Sequence, residues 1–250
     1  MEKNAWKERD FCQSYSDNIQ ISTEDLHYGY LSPGERELHL LGPVSRLKNK
    51  WVVEIGCGAA HNCITLSKWG AKCTGIDISM PMIRNAKILA KKENVDIELI
   101  CGDGKNLDQL LKRSKYNDQK VSIFISSYAI SFICQNTIEL INLFKSVRKN
   151  IHPRGSFVFC FSHPSQKPKK PIGGDNQGWN ETYFTINEVT QSLNLAGFET
   201  ERTLEQTTEN PSKIPIEEKE RFPYRIINLN PSLDRFTHKP HTIIYLAKTK

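Results

Sequence analysis

The 250-residue sequence contains no apolar run long enough to cross a membrane. Its least interrupted apolar stretch, residues 121–134, includes four serines and falls short of the roughly 18–20 apolar residues of a spanning helix. The first ten residues also lack the apolar core of about 7–15 residues that marks a secretory signal. We therefore expect a cytoplasmic protein without a membrane partner.

Signals for metal and nucleic-acid binding are also lacking. The seven cysteines are scattered, with no C-x-x-C pair and no Cys/His cluster at zinc spacing, so we expect no metal site and reduced, buried thiols. The formal charge of +6 is too small to indicate nucleic-acid binding by itself, which disfavours a nucleic-acid partner.

Short apolar runs alternate with segments of helical period between residues 51 and 161, a pattern typical of α/β proteins with a mostly parallel sheet. Ser79, Thr137 and Thr185 stand where helix caps are expected, and Thr185 opens a capping box. The predicted strands are Trp51–Ile55, Lys72–Asp77, Ile97–Cys101, Val121–Ser127, Ser156–Phe161, Phe198–Glu205 and His241–Lys248.

Three segments do not follow this alternation. Residues 1–35 form an N-terminal appendage that cannot build a core alone, and residues 36–250 are expected to form the main domain. Insertions at about 162–182 and 206–240 interrupt it, and the second is longer than a compact domain normally leaves unstructured. We interpret the second insertion as a functional cover or a partly disordered segment.

The first predicted strand leads directly into the turn Gly56-Cys57-Gly58. Glycines after a strand let a ligand approach the backbone, which both dinucleotide and nucleoside cofactors use. A dinucleotide fingerprint has glycine or alanine at the sixth position of G-x-G-x-x-G, where this sequence has His61. Glu54 would repel a diphosphate but can help hold a ligand with an ammonium and a sulfonium. The turn therefore favours a cationic nucleoside over NAD.

Carboxylates also end the next two predicted strands. Asp77 lies 21 positions beyond Gly56, where it can accept hydrogen bonds from ribose hydroxyls or cap the helix that begins near Ser79. Asp103 stands between two glycines and is either a ligand contact or an ordinary turn residue.

Four motifs together resemble the class I S-adenosylmethionine-dependent methyltransferases, most closely their bacterial small-molecule branch. The motifs are Glu54-x-Gly56-x-Gly58, Asp77-Ile78-Ser79, Gly102-Asp103-Gly104 and Ser126-Ser127-Tyr128-Ala129. The resemblance implies a Rossmann-like, seven-stranded, mostly parallel sheet with an antiparallel last strand and helices on both faces. It also implies S-adenosylmethionine as cofactor and S-adenosylhomocysteine as product. The sequence departs from the family at Ala60, where a third glycine is frequent.

The resemblance further implies roles for individual residues. Glu54, Gly56 and Gly58 would line the methionine moiety, while Asp77 would contact the ribose and Asp103 would lie near the adenine amino group. His27 would belong to an N-terminal flap over the cofactor. The expected cofactor contacts are Glu54, Gly56, Cys57, Gly58, Asp77, Ile78, Gly102, Asp103, Gly104 and Ser127.

Methyl transfer is an in-line displacement that chiefly needs alignment and exclusion of water. A protic acceptor must also lose a proton, and an imidazole suits that role near neutral pH. His163 directly follows a predicted strand, at the edge where ligands of open parallel sheets gather. We expect His163 to be the catalytic base, although it can equally be a loop histidine tethered by Pro164.

The expected function is methyl transfer to an oxygen or nitrogen atom of a small metabolite or natural product. An RNA- or protein-directed methyltransferase is the alternative, but enzymes that methylate exocyclic base nitrogens resemble one another in an Asn/Asp-Pro-Pro-Tyr/Phe motif, where this chain has Ser127-Tyr128-Ala129-Ile130. A non-catalytic S-adenosylmethionine-binding protein is a further alternative. Neither the acceptor nor the oligomeric state is indicated by the sequence.

Overall fold

A computed structural model describes residues 19–29, 32–167, 181–207, 223–226 and 240–250. The strands are β1 (Ile19–Ile21), β2 (Trp51–Ile55), β3 (Lys72–Asp77), β4 (Glu98–Cys101), β5 (Val121–Ser127), β6 (Ile151–Ser162), β7 (Phe198–Gln206), β8 (Tyr224–Ile226) and β9 (Thr242–Thr249). The α-helices are α1 (Glu35–Leu38), α2 (His61–Lys68), α3 (Met80–Lys92), α4 (Leu107–Leu111), α5 (Ile130–Ile133), α6 (Thr137–Asn150) and α7 (Ile186–Leu195). Short 3₁₀ helices span Val44–Leu47, Gly104–Asn106 and Pro164–Gln166.

Seven strands form one mixed sheet in the order β4-β3-β2-β5-β6-β9-β7. The ladders from β4 across to β6 are parallel, and β9 runs antiparallel to both β6 and β7. The predicted seven-stranded, mostly parallel sheet with an antiparallel last strand is therefore confirmed. Chain order reverses at β2, whose neighbours are β3 and β5, and open α/β sheets bind ligands at such a switch point.

Apolar side chains on the two faces of the sheet build two cores, because successive residues of a strand point to opposite faces. Val53 of β2 belongs to the core that contains Phe144 of α6 and Leu193 of α7. Val52 belongs to the other core, with Leu66 of α2. Helices therefore cover both faces, as predicted.

Two predicted boundaries are wrong for a structural reason, and the other predicted strand ends lie within one residue of the observed ones. The strand predicted to begin at Ser156 begins at Ile151, so that the proline at position 153 lies inside β6. Helix α6 is capped by Asn136 rather than Thr137, because Asn136 has the extended backbone of a cap and its side chain accepts from the N–H of Glu139. The caps at Ser79 and Thr185 are confirmed, the latter with a complete capping box.

A two-stranded antiparallel sheet joins part of the predicted N-terminal appendage to part of the predicted insertion at 206–240. Strand β1, within residues 1–35, pairs with β8, within residues 206–240, and Gln20 lies opposite Arg225. The N–H of Ser22 also donates to the carbonyl of Pro223 at 2.7 Å. No sequence pattern indicated this pairing.

Within the described ranges, no helix is long and apolar enough to cross a membrane. The six cysteines of those ranges form no disulfide, and five of them are buried.

Candidate cofactor site

The turn after β2 packs closely against the segment after β5. The N–H groups of Gly56 and Cys57 both donate to the carbonyl of Ile76, at 2.8 and 3.0 Å. Gly56 has a φ of +72°, and a Cβ built on it would lie 2.0 Å from the Cβ of Ala129. Gly58 has a φ of +53°. These positive φ angles favour glycine, so the turn needs both glycines for its own shape.

Asp77, at the end of β3, is bonded to this turn. Its Oδ2 accepts from the N–H of Gly58 at 2.8 Å, and its Oδ1 accepts from the N–H of Ser79 at 2.8 Å. Its backbone carbonyl accepts from Gly102, at the end of β4. Burial raises the pKa of the Asp77 carboxyl above its usual value, while the backbone hydrogen bonds oppose the shift. Three of the motifs therefore meet at one edge of the sheet.

Glu54 is 2% exposed and lies beneath the first turn of α2. Its Oε1 accepts from Asn62 Nδ2 at 3.0 Å, and its Oε2 from Cys63 Sγ at 3.2 Å. Burial raises the pKa of Glu54 to about 7; repulsion from Asp77 adds to the shift and the two hydrogen bonds oppose it. Asp77 and the ionised fraction of Glu54 place negative charge at the turn, which suits a cationic ligand.

Asn62 is a site residue that the sequence analysis missed. Its Oδ1 accepts from the N–H of His27 at 2.9 Å, and its Nδ2 lies 3.1 Å from the His27 carbonyl and 3.3 Å from Ser127 Oγ. Ser127 Oγ also donates to the His27 carbonyl at 3.0 Å. The segment around His27 is therefore held at the switch point by α2 and β5. No local pattern marks a single buried asparagine as such an anchor.

The residues expected near the adenine also have roles in the protein structure that involve no ligand. Asp103 Oδ1 accepts from the N–H of Lys105 at 3.0 Å and caps the 3₁₀ helix Gly104–Asn106, which supports its interpretation as a turn residue. A Cβ at Gly102 would lie 2.4 Å from Leu110 Cδ2, and one at Gly104 would lie 2.9 Å from Ile133 Cδ1. The contact of Asp103 with adenine stays a prediction.

Cys57 and Ile78 lie at the same edge of the sheet. The Cys57 side chain packs against Gly75, where an added Cβ would come within 2.8 Å of its sulfur. Burial raises the pKa of the Cys57 thiol well above its usual value. The carbonyl of Ile78 lies 3.6 Å from Cys101 Sγ. Contact of either residue with a cofactor stays a prediction.

His163 lies at the carboxyl end of β6, beside β9 and β7. Its Nδ1 is 2.8 Å from Ser165 Oγ and accepts from the N–H of Ser165 at 3.1 Å. Its Nε2 lies 3.1 Å from Glu205 Oε2. Both ring nitrogens therefore already face protein groups, and the predicted role of His163 as catalytic base stays a prediction. Among the described residues, no group of three or more His, Cys, Asp or Glu side chains could hold a metal ion.

Comparison with known proteins adds independent observations. Residues 52–155 match the family described as "Methyltransferase domain". A cypemycin N-terminal methyltransferase from Streptomyces sp. is 25% identical over 163 residues, 65% of this chain and 61% of the relative. A ubiquinone biosynthesis O-methyltransferase from Coxiella burnetii is 36% identical over 89 residues, 32% of this chain and 38% of the relative. The chain therefore aligns with less than two thirds of the length of either relative.

The fold is also similar to that of solved structures. The CcbJ methyltransferase from Streptomyces caelestis superimposes with a TM-score of 0.60 and 13% identity, and the match covers 100% of this chain and 99% of that one. This likeness concerns the fold alone.

Proposed function

We propose that this chain, whose residues 52–155 match a methyltransferase-domain family, is a class I S-adenosylmethionine-dependent methyltransferase that transfers a methyl group from S-adenosylmethionine to an oxygen or nitrogen atom of a small molecule. The observation that carries the proposal is the hydrogen bond from Gly58 N–H to Asp77. It joins the glycine turn to a carboxylate at the neighbouring strand end, where a ribose cofactor binds in such sheets.

The acidic groups at the turn suit this cofactor. An ionised carboxylate has about four acceptor positions, so Asp77 keeps capacity for a ribose hydroxyl after accepting from the N–H groups of Gly58, Ser79 and Ile78. Glu54 adds negative charge near the place that we assign to the ammonium and sulfonium. The bound cofactor supplies a methyl group that is activated by its positively charged sulfur.

We assign the remaining predicted contacts accordingly. Gly56 and Gly58 allow close approach of the methionine part, with Cys57 beside them. Asp103 faces the adenine, between Gly102 and Gly104, and Ile78 and Ser127 complete the lining. The names of the two relatives specify N-terminal and O-methylation, so the methylated atom is proposed as either nitrogen or oxygen. Acceptor contacts would come from the N-terminal appendage, residues 1–35, and from the insertions at 162–182 and 206–240.

Cofactor binding is the first test of the proposal. Isothermal titration calorimetry should detect S-adenosylmethionine binding to the parent, and Asp77→Ala should weaken it at least tenfold, because the loss of a hydrogen bond to a charged group costs about 1.5–3 kcal/mol. Asp118→Ala, a change at an exposed carboxylate, is the matched control. Absence of binding by the parent, or unchanged affinity in Asp77→Ala, would contradict the proposal.

Methyl transfer is the second test. Protein and methyl-tritiated S-adenosylmethionine are incubated separately with the low-molecular-mass and macromolecular fractions of an extract of the producing organism. We expect label in the low-molecular-mass fraction. Label that disappears only after nuclease or protease treatment would favour the macromolecular alternative. Binding without any labelled product would favour the non-catalytic one.

A further inference from the structure

A chain of three hydrogen-bonding side chains lies beside the candidate site and has no part in the assignments above. The Tyr128 hydroxyl bonds to Thr242 Oγ1, which lies 2.8 Å from Nδ1 of His241. Tyr128 is partly exposed, whereas Thr242 and His241 are buried. The hydrogen-bond chain therefore leads from a partly exposed tyrosine to a buried imidazole.

Tyr128 stands next to the proposed methyl-transfer centre. It directly follows Ser127, and the next residue, Ala129, packs on the Gly56 turn. Its φ of +59° lies in the left-handed region, which a bulky side chain rarely adopts. Such strained residues persist only where the surroundings hold them, and they cluster at functional sites. The backbone is held here by hydrogen bonds to Cys160 and Ser131.

The sheet holds Thr242 and His241, the other two residues of the hydrogen-bond chain, in place. Thr242 begins β9 and pairs with Ser162 of β6 on one side and Gln206 of β7 on the other. The backbone of His241 donates to Gln206 and accepts from His163, both at 2.9 Å. Both neighbouring strands fix this backbone. The sheet therefore sets the direction in which the side chains of Thr242 and His241 extend the hydrogen-bond chain from Tyr128.

Gly29 covers the pair formed by Tyr128 and Thr242. A Cβ at Gly29 would lie 2.8 Å from the Tyr128 hydroxyl and 2.7 Å from Thr242 Cγ2. Only a residue without a side chain can pack so closely. The buried segment around His27 thus limits the access of water to the inner end of the phenol, a condition that strengthens hydrogen-bonded proton transfer.

We propose that Tyr128 is a catalytic residue, that Thr242 and His241 position and relay its proton, and that the methyl acceptor is a hydroxyl compound. This inference rests on the proposed function. In the transfer, the acceptor oxygen forms a bond to the methyl carbon while the carbon–sulfur bond breaks and leaves its electron pair on sulfur. The acceptor proton moves to the Tyr128 oxygen, the Tyr128 proton to Thr242 Oγ1, and the Thr242 proton to His241 Nδ1.

The chemistry of the chain favours an oxygen acceptor. A hydroxyl that gains a methyl group must lose its proton as the bond forms, because the alternative is a strongly acidic oxonium. A neutral amine instead gives a stable ammonium and needs no proton acceptor during the step. Burial, with a contribution from His163, lowers the pKa of His241 to about 4, so its ring is neutral at pH 7 and can accept a proton. A weak base suffices for an incipient oxonium.

Four variants test the inference, with the low-molecular-mass extract fraction as the acceptor probe. Tyr128→Phe and Thr242→Val each remove one hydroxyl, Thr242→Ser restores it, and Tyr116→Phe is the matched control at a tyrosine packed against Trp51. We expect Tyr128→Phe and Thr242→Val to lower the transfer rate by about 10²-fold or more, with S-adenosylmethionine affinity unchanged. Tyr116→Phe should retain the parental rate, and Thr242→Ser should recover most of the rate that Thr242→Val loses.

Further outcomes separate this inference from the proposed function. The double variant Tyr128→Phe/Thr242→Val should lose no more activity than either single variant, because the groups act as one unit. With ¹³C-labelled cofactor, the chemical shift of the product methyl should be that of an O-methyl group. A parental rate in Tyr128→Phe, or an N-methyl product, would overturn the inference and leave the proposed function standing. Failure of the parent to bind S-adenosylmethionine would overturn both.

Discussion

Replacing Asn62 by alanine tests the contact between α2 and the segment around His27. The amide is 1% exposed, accepts from the His27 N–H and donates toward Glu54 Oε1 and the His27 carbonyl. Removal of the amide leaves the buried N–H of His27 and Oε1 of the buried Glu54 without this hydrogen-bond partner. Each unsatisfied buried group costs about 1–3 kcal/mol, so the two groups together predict that Asn62→Ala loses about 2–6 kcal/mol of unfolding free energy.

Urea unfolding, followed by circular dichroism, measures this loss. Asn117→Ala is the control, because Asn117 is exposed and its side chain donates to the nearby carbonyl of Lys112. The control should change by less than about 0.5 kcal/mol. Limited proteolysis should also cut Asn62→Ala near residues 26–29 faster than the parent. A loss below about 1 kcal/mol with unchanged proteolysis would refute the reasoning, because the amide would then not anchor the segment.

The remaining predictions concern Glu54 and Gly56. Glu54 has a folded pKa of about 7 against an ordinary 4.5, so its stabilising contribution is complete below pH 4.5 and is lost as pH rises through 7. The unfolding free energy of the parent should therefore fall relative to that of Glu54→Gln by about 3 kcal/mol across this range, measured by urea unfolding at several pH values. Gly56→Ala should lower stability by about 2–4 kcal/mol in thermal melts, from left-handed strain and the clash with Ala129. Gly42→Ala, at a φ of +78° with open space around it, should show the strain alone, about 1–2 kcal/mol, and an equal loss in both variants would contradict the packing argument.

The sequence predicted the features that follow from the local periodicity of apolar residues. Alternating apolar segments predicted the sheet, and parallel strands bring their carboxyl ends to one edge, so the residues that end them can be expected to meet. Gly58 lies in the turn after β2, and Asp77 ends β3 only 19 positions later. The departure at Ala60 also agrees with the motif, because Ala60 has the φ of +61° that a glycine would adopt there.

The features that the sequence could not predict depend on contacts between distant elements. His27 and Asn62 are 35 positions apart, and Tyr128 and Thr242 are 114 apart. No motif connects either pair, because each contact is set by how strands and covering segments pack rather than by local spacing. The cap of α6 shows that sequence alone can also misplace a feature by a single residue. Asparagine and threonine both cap helices well, and only the backbone conformation selected Asn136.

The packing of residues 25–29 and 32–41 indicates that part of the predicted appendage folds together with the main domain. Tyr28 donates to Glu35 Oε2 at 2.6 Å, and this buried carboxylate also accepts from the N–H groups of Leu40 and Leu41. Burial raises the pKa of Glu35, and its hydrogen bonds oppose the shift, so loss of any one donor would leave a costly buried carboxylate. These hydrogen bonds fix the short segment in which His27 contacts Asn62 and Gly29 packs against Tyr128. Its conformation is therefore coupled to both the cofactor turn and the proposed proton chain.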